Sequence, residues 1–170
     1  MKLHIGSKGA AIPGFKKVDM VQWGDTDYVR DARDLSCFAD NTVSEIYASH
    51  ILEHFHKPET VNVLREWHRV LQPGGIAYIS VPDFSRAIEL YNKIGYLTDY
   101  LQDLIWGGQE YPTAFHYRGF TYPILSGLMS EAGFSKVERI AEMPYGVRDC
   151  SKLRDTLDGK SNSIHVRGVK

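Results

Sequence analysis

Apolar and polar positions change their period along the chain, and those changes mark out its elements. Short runs occur at Lys2 to Ile5, Phe15 to Asp19, Tyr28 to Arg30, Glu45 to Ser49 and Ile76 to Val81, and each has the length and composition of a strand. Between the last two, Val61, Leu64, Trp67 or His68, and Leu71 recur at helical spacing. Pro58 sits at a first-turn position beside Glu59, so a helix over Pro58 to Leu71 is predicted. Gln72-Pro73-Gly74-Gly75 reads as the turn that stops it. Strand, helix and strand make a βαβ unit, and with it a parallel sheet.

A second helical pattern runs from Phe84 to about Ile105 through Ile88, Tyr91, Ile94, Leu97, Leu101 and Leu104. It breaks at Gly95, which predicts a helix pair. Thr121-Tyr122-Pro123 opens another helix with Leu125, Leu128, Met129 and Ala132 as its apolar face, and Gly133 ends it with Phe134 packing back. Lys136 to Ile140 and Ser163 to Val169 read as the last strands, and the stretch from Glu142 to Lys160 is polar and unpatterned.

The first half of the chain is more economical. Only Ala10 to Val18 separate Gly9 from Asp19, and they must hold the second strand as well. A crossover helix alone takes about ten residues. The first crossover is therefore expected to carry no helix, or at most one turn. The expected architecture is one α/β domain over residues 1–170, with a mostly parallel sheet, N-terminal crossover helices reduced or missing, and a helical and aromatic insertion at about 84–120.

Charge and composition narrow the partners. A net charge of -1 over 170 residues, with both signs interspersed, gives no electrostatic footprint for nucleic acid or an anionic membrane, so a small molecule is the expected partner. No apolar run approaches the roughly 20 residues of a spanning helix, and no signal-peptide core precedes the first strand, which predicts a cytoplasmic protein. Cys37 and Cys150 lie far apart and fit reduced thiols. A sheet face left open by missing helices would favour a homodimer.

Candidate chemistry gathers at strand ends. Gly6-Ser7-Lys8-Gly9 is a glycine-bearing turn after the first strand, and Asp19 is a carboxylate after the second. Together they are the usual nucleotide contacts of such a sheet. Asp31 and Ala32 follow the third strand, and Ser49 and His50 end the central one. Asp83 lies at the same edge, where a helix N-cap is the competing role. His116, Tyr117 and Arg118 stand in a glycine- and aromatic-rich loop that would recognise an acceptor or simply pack on the core. Glu53 and His54 read as structural, capping a short turn and pairing with Lys57 or Arg65. His50-Ile51-Leu52-Glu53-His54 also fits HxxEH, the inverted zincin pattern. That chemistry needs a continuous helix, and Pro58 leaves barely one turn.

With these residues laid out, the chain resembles the class I S-adenosylmethionine-dependent methyltransferases, in particular the small type 11 group. The likeness rests on Asp31, Asp34-Leu35, Phe38-Ala39-Asp40-Asn41, Ser49-His50-Ile51-Leu52-Glu53-His54, Leu71-Gln72-Pro73-Gly74-Gly75 and Glu131-Ala132-Gly133-Phe134. The chain departs from the family at His4, Lys8 and Ser44, and in the helix missing after the first turn.

The resemblance implies a Rossmann-like fold and S-adenosylmethionine as cofactor. Gly6, Ser7, Lys8 and Gly9 would pass close to its methionine end, Asp19 would accept from both ribose hydroxyls, Asp31 and Ala32 would hold adenine, and Ser49 would face the sulfonium. His50 would be the base, with Asp83 beside it, and no metal is required. The implied activity is methyl transfer to a small-molecule or glycan-related acceptor. Two alternatives stay open: a degenerate, non-catalytic relative that binds a metabolite or protein, and, more remotely, a zinc hydrolase using His50, Glu53 and His54.

Overall fold

The computed structural model describes residues 1–147 and 158–170. Cys150, read above as a reduced thiol, lies outside the described residues. The strands are β1 (Lys2–Ile5), β2 (Phe15–Asp19), β3 (Tyr28–Val29), β4 (Val43–Ser49), β5 (Leu71–Pro82), β6 (Lys136–Arg139) and β7 (Ser163–Val169). They form one sheet in the order β3-β2-β1-β4-β5-β7-β6. The first five are parallel and β7 runs antiparallel to both β5 and β6. The mostly parallel α/β architecture expected from the sequence is therefore present. The helices are α1 (Thr60–Val70), α2 (Phe84–Ile94), α3 (Asp99–Trp106) and α4 (Tyr122–Glu131). None lies between β1 and β4, so all three connections there are loops, as the short spacing required of the first.

Successive side chains of a strand point to opposite faces, which divides the sheet into two environments. On one face Leu3, Ile5, Val18, Ile46, Ala48, Ala77, Ile79, Val81, Ile164 and Val166 share a core with Val63, Leu64 and Trp67 of α1 and Leu125 and Met129 of α4. On the other, Lys17, His4, Tyr47, Tyr78 and Arg167 stand in register across β2, β1, β4, β5 and β7. Here a smaller cluster of Ile12, Phe15, Tyr47, Met143 and Val147 replaces a helical layer. The Tyr145 ring meets Phe15, Tyr47 and Tyr78 edge-on.

Two boundaries differ from the sequence reading. The first central helix starts at Thr60, because Pro58 and Glu59 belong to a preceding turn in which Glu59 Oε2 accepts from the His56 backbone N–H at 3.1 Å. The second difference concerns Gln72 to Gly75, which are part of β5 rather than a separate turn. Leu71 turns extended and pairs with Val43, the ladder slips between Val43 and Glu45, and Gly74 takes a φ of 77°. The end of the chain completes this segment: Gly74 N–H donates to the Lys170 carbonyl, and Lys170 N–H donates to that of Gly75. That pairing is non-local, so a local turn signal could not reveal it.

Elsewhere the local signals hold. Gly95 (φ 85°) breaks the α2–α3 pair, and Gly133 (φ 111°) ends α4 with Phe134 N–H donating to the Met129 carbonyl.

One network fastens the turn before β4 to α1. Arg69 donates to both oxygens of Glu66 at 2.7 Å, to the Phe38 carbonyl at 3.0 Å, to the Leu35 carbonyl at 3.1 Å and to Asp40 at 2.6 Å. Leu35 N–H donates back to Glu66 Oε1 at 2.9 Å. The Arg69 hydrogen bonds hold the Glu66 carboxyl below its ordinary range, against the opposing effect of burial. Removing the guanidinium by Arg69→Ala should destabilise the protein by about 2 kcal/mol at neutral pH in urea unfolding, since hydrogen bonds to charged groups contribute roughly 1.5–3 kcal/mol. A carboxyl with a depressed folded pKa contributes stability above its unfolded pKa and loses it as pH falls through the folded one. The difference between wild type and Arg69→Ala should therefore shrink below about pH 4. A difference independent of pH would show that the ion pair contributes nothing.

Candidate functional site

The parallel strands end at one edge, and the predicted residues meet there or beside it. Gly6 follows β1, Asp19 ends β2, Ser49 ends β4 with His50 directly after it, and Asp83 follows β5. Asp19 is buried and holds two turns together, with Oδ2 accepting from Lys8 N–H at 2.9 Å and Oδ1 from Val21 N–H at 3.0 Å. Each carboxylate oxygen keeps a further lone pair for a ligand. Ser7 and Ser49 are also buried, and the hydroxyl of each lacks a hydrogen-bond partner. Buried polar atoms are normally satisfied, so two orphans at the ends of adjacent strands fit a polar ligand seated there.

Gly6 carries a packing constraint that the sequence did not show. It adopts φ 70°, and a Cβ built on it would lie 1.8 Å from Ile51 Cδ1. In this structure the glycine makes room for Ile51, which locks the first turn against the turn after β4. Gly9, at φ 80°, is likewise held in a left-handed turn. Lys8 reaches the aromatic loop, its Nζ donating to Tyr111 Oη at 2.9 Å.

The residues after β3 are engaged within the chain. Arg33 donates to Asp31 through Nε at 3.0 Å and through Nη2 at 2.7 Å, and these bonds, ahead of the opposing burial, hold the Asp31 carboxyl below its ordinary range. The Ala32 carbonyl accepts from Trp67 Nε1 at 2.9 Å, which ties the loop to α1.

The densest chemistry surrounds His50. Its backbone is left-handed, φ 56°, an uncommon conformation for a residue with a side chain and one that clusters at functional sites. His50 Nδ1 stands 3.3 Å from Glu53 Oε1, and Nε2 lies 2.9 Å from Ser163 Oγ at the start of β7. With Nδ1 protonated toward the carboxylate, Nε2 accepts from the Ser163 hydroxyl. Glu53, His50 and Ser163 thus form one chain of polar groups.

Glu53 is completely buried, yet neither of its oxygens accepts a hydrogen bond. Burial pushes its carboxyl up, but His50, with His54 and His116, more than offsets that and leaves it below the ordinary range. His54 Nδ1–H donates to the Phe115 carbonyl at 2.9 Å, and the His54 and His116 rings meet edge-on with centroids 5.1 Å apart. Burial, opposed mainly by Glu53, pushes the His116 imidazole down, toward its neutral form. One ligand atom each from Glu53, His54 and His116 lie within 4.8 Å of one another.

The aromatic loop closes over this cluster. Tyr117 N–H donates to the Glu53 carbonyl at 2.8 Å, and the Tyr117 ring lies on His56 with centroids 4.1 Å apart. Arg118 points elsewhere, to the Lys57 carbonyl at 3.1 Å. Of the three loop residues singled out from sequence, only His116 turns its ring into the cluster. Asp83 is the N-cap of α2, accepting from Ser85 N–H at 3.0 Å and Arg86 N–H at 3.4 Å, and Arg139 reaches its other oxygen at 3.3 Å. It also borders a cleft of about 370 Å³ with Arg86, Arg139, Lys160, Ser163 and His165. None of the residues expected to hold cofactor lines that cleft.

Sequence reasoning read Glu53 and His54 mainly as structural and did not single out Ser163. Glu53 pairs with His50 rather than Lys57 or Arg65, and Arg65 reaches Asn62 and Glu131 instead. Nor do the residues of the HxxEH pattern share an α-helix, because Leu52–His54 is a single 3-10 turn. The i, i+3 spacing of His50 and Glu53 was the one available signal, whereas Ser163 and His116 arrive from distant parts of the chain.

Gly6→Ala should cost about 2–4 kcal/mol, combining the left-handed backbone with the Ile51 clash. The double variant Gly6→Ala/Ile51→Ala should show favourable coupling of at least about 1 kcal/mol in a double-mutant unfolding cycle. Strict additivity would mean that Ile51 does not occupy the space beside Gly6.

Comparison with known proteins adds to this geometry. Residues 15–79 match the type 11 family model described as a methyltransferase domain. No curated protein matches by sequence. A SAM-dependent methyltransferase from Archaeoglobus fulgidus superposes with a TM-score of 0.62 at 12% identity, over 99% of this chain and 85% of that one. A possible histamine N-methyltransferase from Thermotoga maritima gives 0.58 at 19% identity, covering 99% and 81%. The 1,6-didemethyltoxoflavin-N1-methyltransferase of Burkholderia thailandensis, whose structure contains S-adenosylhomocysteine, gives 0.55 at 15% identity, covering 99% and 70%. The strand order and these likenesses together identify the fold as that of the class I S-adenosylmethionine-dependent methyltransferases, with the type 11 sequence signature carried by residues 15–79.

Proposed function

We propose that the protein transfers a methyl group from S-adenosylmethionine to a small-molecule or glycan-related acceptor. The observation that carries this reading is the pair of buried, unpartnered hydroxyls of Ser7 and Ser49, set with Asp19 at the carboxyl ends of β1, β4 and β2. Sheets of this kind bind ligands at that edge. The Burkholderia thailandensis neighbour, by its name, methylates a small molecule.

When bound, S-adenosylmethionine supplies an electrophilic methyl on its sulfonium, so the chain's own task is positioning and proton removal. Ser7 would donate to the methionine end and Asp19 would accept from the ribose hydroxyls. Gly9 keeps the first turn in the left-handed form that brings Lys8 N–H onto Asp19. Ser49 would stand nearest the methyl. His50 would take the acceptor's proton at Nε2, the nitrogen that now accepts from Ser163, while Glu53 steadies the resulting imidazolium from the Nδ1 side. The acceptor would thus replace the Ser163 hydroxyl as the partner of Nε2.

A second reading has its own support. Ile51 fills the space beside Gly6, and two backbone N–H groups already occupy Asp19. Both features suit a relative that has given up cofactor binding and serves as a metabolite- or protein-binding module.

Calorimetric titration of S-adenosylmethionine and S-adenosylhomocysteine separates the two. Methyl transfer predicts micromolar binding that weakens at least tenfold in Asp19→Asn, a loss of about 1.4 kcal/mol. No heat at millimolar ligand, with a folded protein by circular dichroism, would overturn the cofactor reading in favour of the binding module.

A further inference from the structure

Glu53 poses a problem that methyl transfer does not answer. A carboxylate removed completely from water without hydrogen bonds is among the most costly arrangements in a protein interior, and it persists where a cation compensates it. His50 Nδ1 approaches one oxygen to 3.3 Å. The other oxygen has no hydrogen-bond partner.

Two imidazoles stand beside it, and that of His54 has its second nitrogen already committed. A carbonyl oxygen only accepts, so the His54 Nδ1 that lies 2.9 Å from Phe115 O carries the proton and Nε2 keeps its lone pair. Metal-bound histidines commonly show this arrangement, the outer nitrogen bound to a backbone carbonyl so that the inner one is fixed and more basic. The His116 ring meets the His54 ring edge-on, with centroids 5.1 Å apart. The loop is pinned in place by Tyr117 N–H on the Glu53 carbonyl and by His116 N–H on the Trp106 carbonyl.

We propose that Glu53, His54 and His116 form a binding site for a single divalent transition-metal ion, zinc or a close relative. Their ligand atoms lie within 4.8 Å of one another. Closing to the separation set by metal bonds of about 2.0–2.2 Å takes movements on the order of 1 Å, which side-chain torsions supply. Two neutral nitrogens and one carboxylate oxygen suit zinc and its neighbours better than magnesium or calcium. Three protein ligands leave at least one position open, the pattern of sites that take up water or a substrate oxygen. Both histidines are only partly buried, whereas the carboxylate of Glu53 is buried. The ligand the open position would receive is an oxygen donor such as a hydroxyl or carboxylate. This set differs from the HxxEH reading of the sequence, because His50 turns to Ser163 and the second histidine comes from the aromatic loop.

The inference stands apart from methyl transfer, and one set of measurements tests each separately. The full chain, freed of metal with a chelator, is titrated with Zn2+ by calorimetry and reloaded with Co2+ for visible absorption, with S-adenosylhomocysteine titrated in parallel. The site predicts one equivalent of Zn2+ bound at micromolar or tighter affinity, and cobalt d–d bands with the intensity of low coordination number. Glu53→Gln and His116→Ala should each weaken binding at least a hundredfold, and His56→Ala, which removes a neighbouring ring outside the site, should leave it unchanged. Should Glu53→Gln fail to fold, His54→Ala and His116→Ala decide on their own. Absence of Zn2+ binding by the wild type, or equal affinity in His116→Ala, overturns the proposal whatever S-adenosylhomocysteine does. Zn2+ binding without S-adenosylhomocysteine binding upholds the metal site and removes only the cofactor reading.

Discussion

A buried negative charge, the carboxylate of Glu53, sets the terms for how the turn after β4 and the aromatic loop come together. In a low-dielectric interior such a group must be met by positive charge or polar donors, or it neutralises. Here His50 Nδ1 approaches the carboxylate to 3.3 Å, while His54 from the same turn and His116 from the loop before α4 bring one ring nitrogen each within 4.8 Å of it. That requirement explains why the aromatic loop docks where it does. It also explains the left-handed backbone at His50, which turns the ring toward Glu53 on one side and Ser163 on the other.

The sheet supplies the frame that makes this possible. Its central strands end together, so the turns after β1 and β4 lie side by side and Ile51 can pack into the space that Gly6 leaves. The helices that bury the apolar face, α1 and α4, both follow β4 in the chain. The opposite face, which lacks crossover helices near β1 and β2, is filled by an aromatic and polar row and by the segment around Met143 and Tyr145. A shortened first half is therefore compatible with a continuous seven-stranded sheet, because rings and loops replace the missing layer. The cleft beside Asp83 and Arg139 occupies the far end of the same edge.

Much of this was legible in the residues themselves, for physical reasons. Strand periodicity, the apolar stripe of α1 and the glycine stops at Gly95 and Gly133 are local properties, written in neighbouring side chains and backbone preferences. The missing crossover helix was a matter of length alone. Contacts that depend on distant chain were not legible. Gln72 to Gly75 join β5 because Lys170 pairs with them, and Gly6 leaves the space that Ile51 fills. Asp83 took the competing role of N-cap, which the sequence had allowed. The roles of Glu53 and His116 became visible only when the loop closed over the turn, since a histidine in an aromatic loop gives no sign of its partner.

The central claim is that the edge around Ser49, His50 and Glu53 is the chemical centre of the molecule. Its most direct test is a crystal structure of the full chain with S-adenosylhomocysteine and Zn2+, with anomalous data collected at the zinc edge. The account predicts the nucleoside on Asp19, the sulfur beside Ser49, and an anomalous peak about 2.0–2.2 Å from Glu53, His54 and His116. Ligand and ion both absent from that edge, or bound only in the cleft beside Asp83, would contradict it.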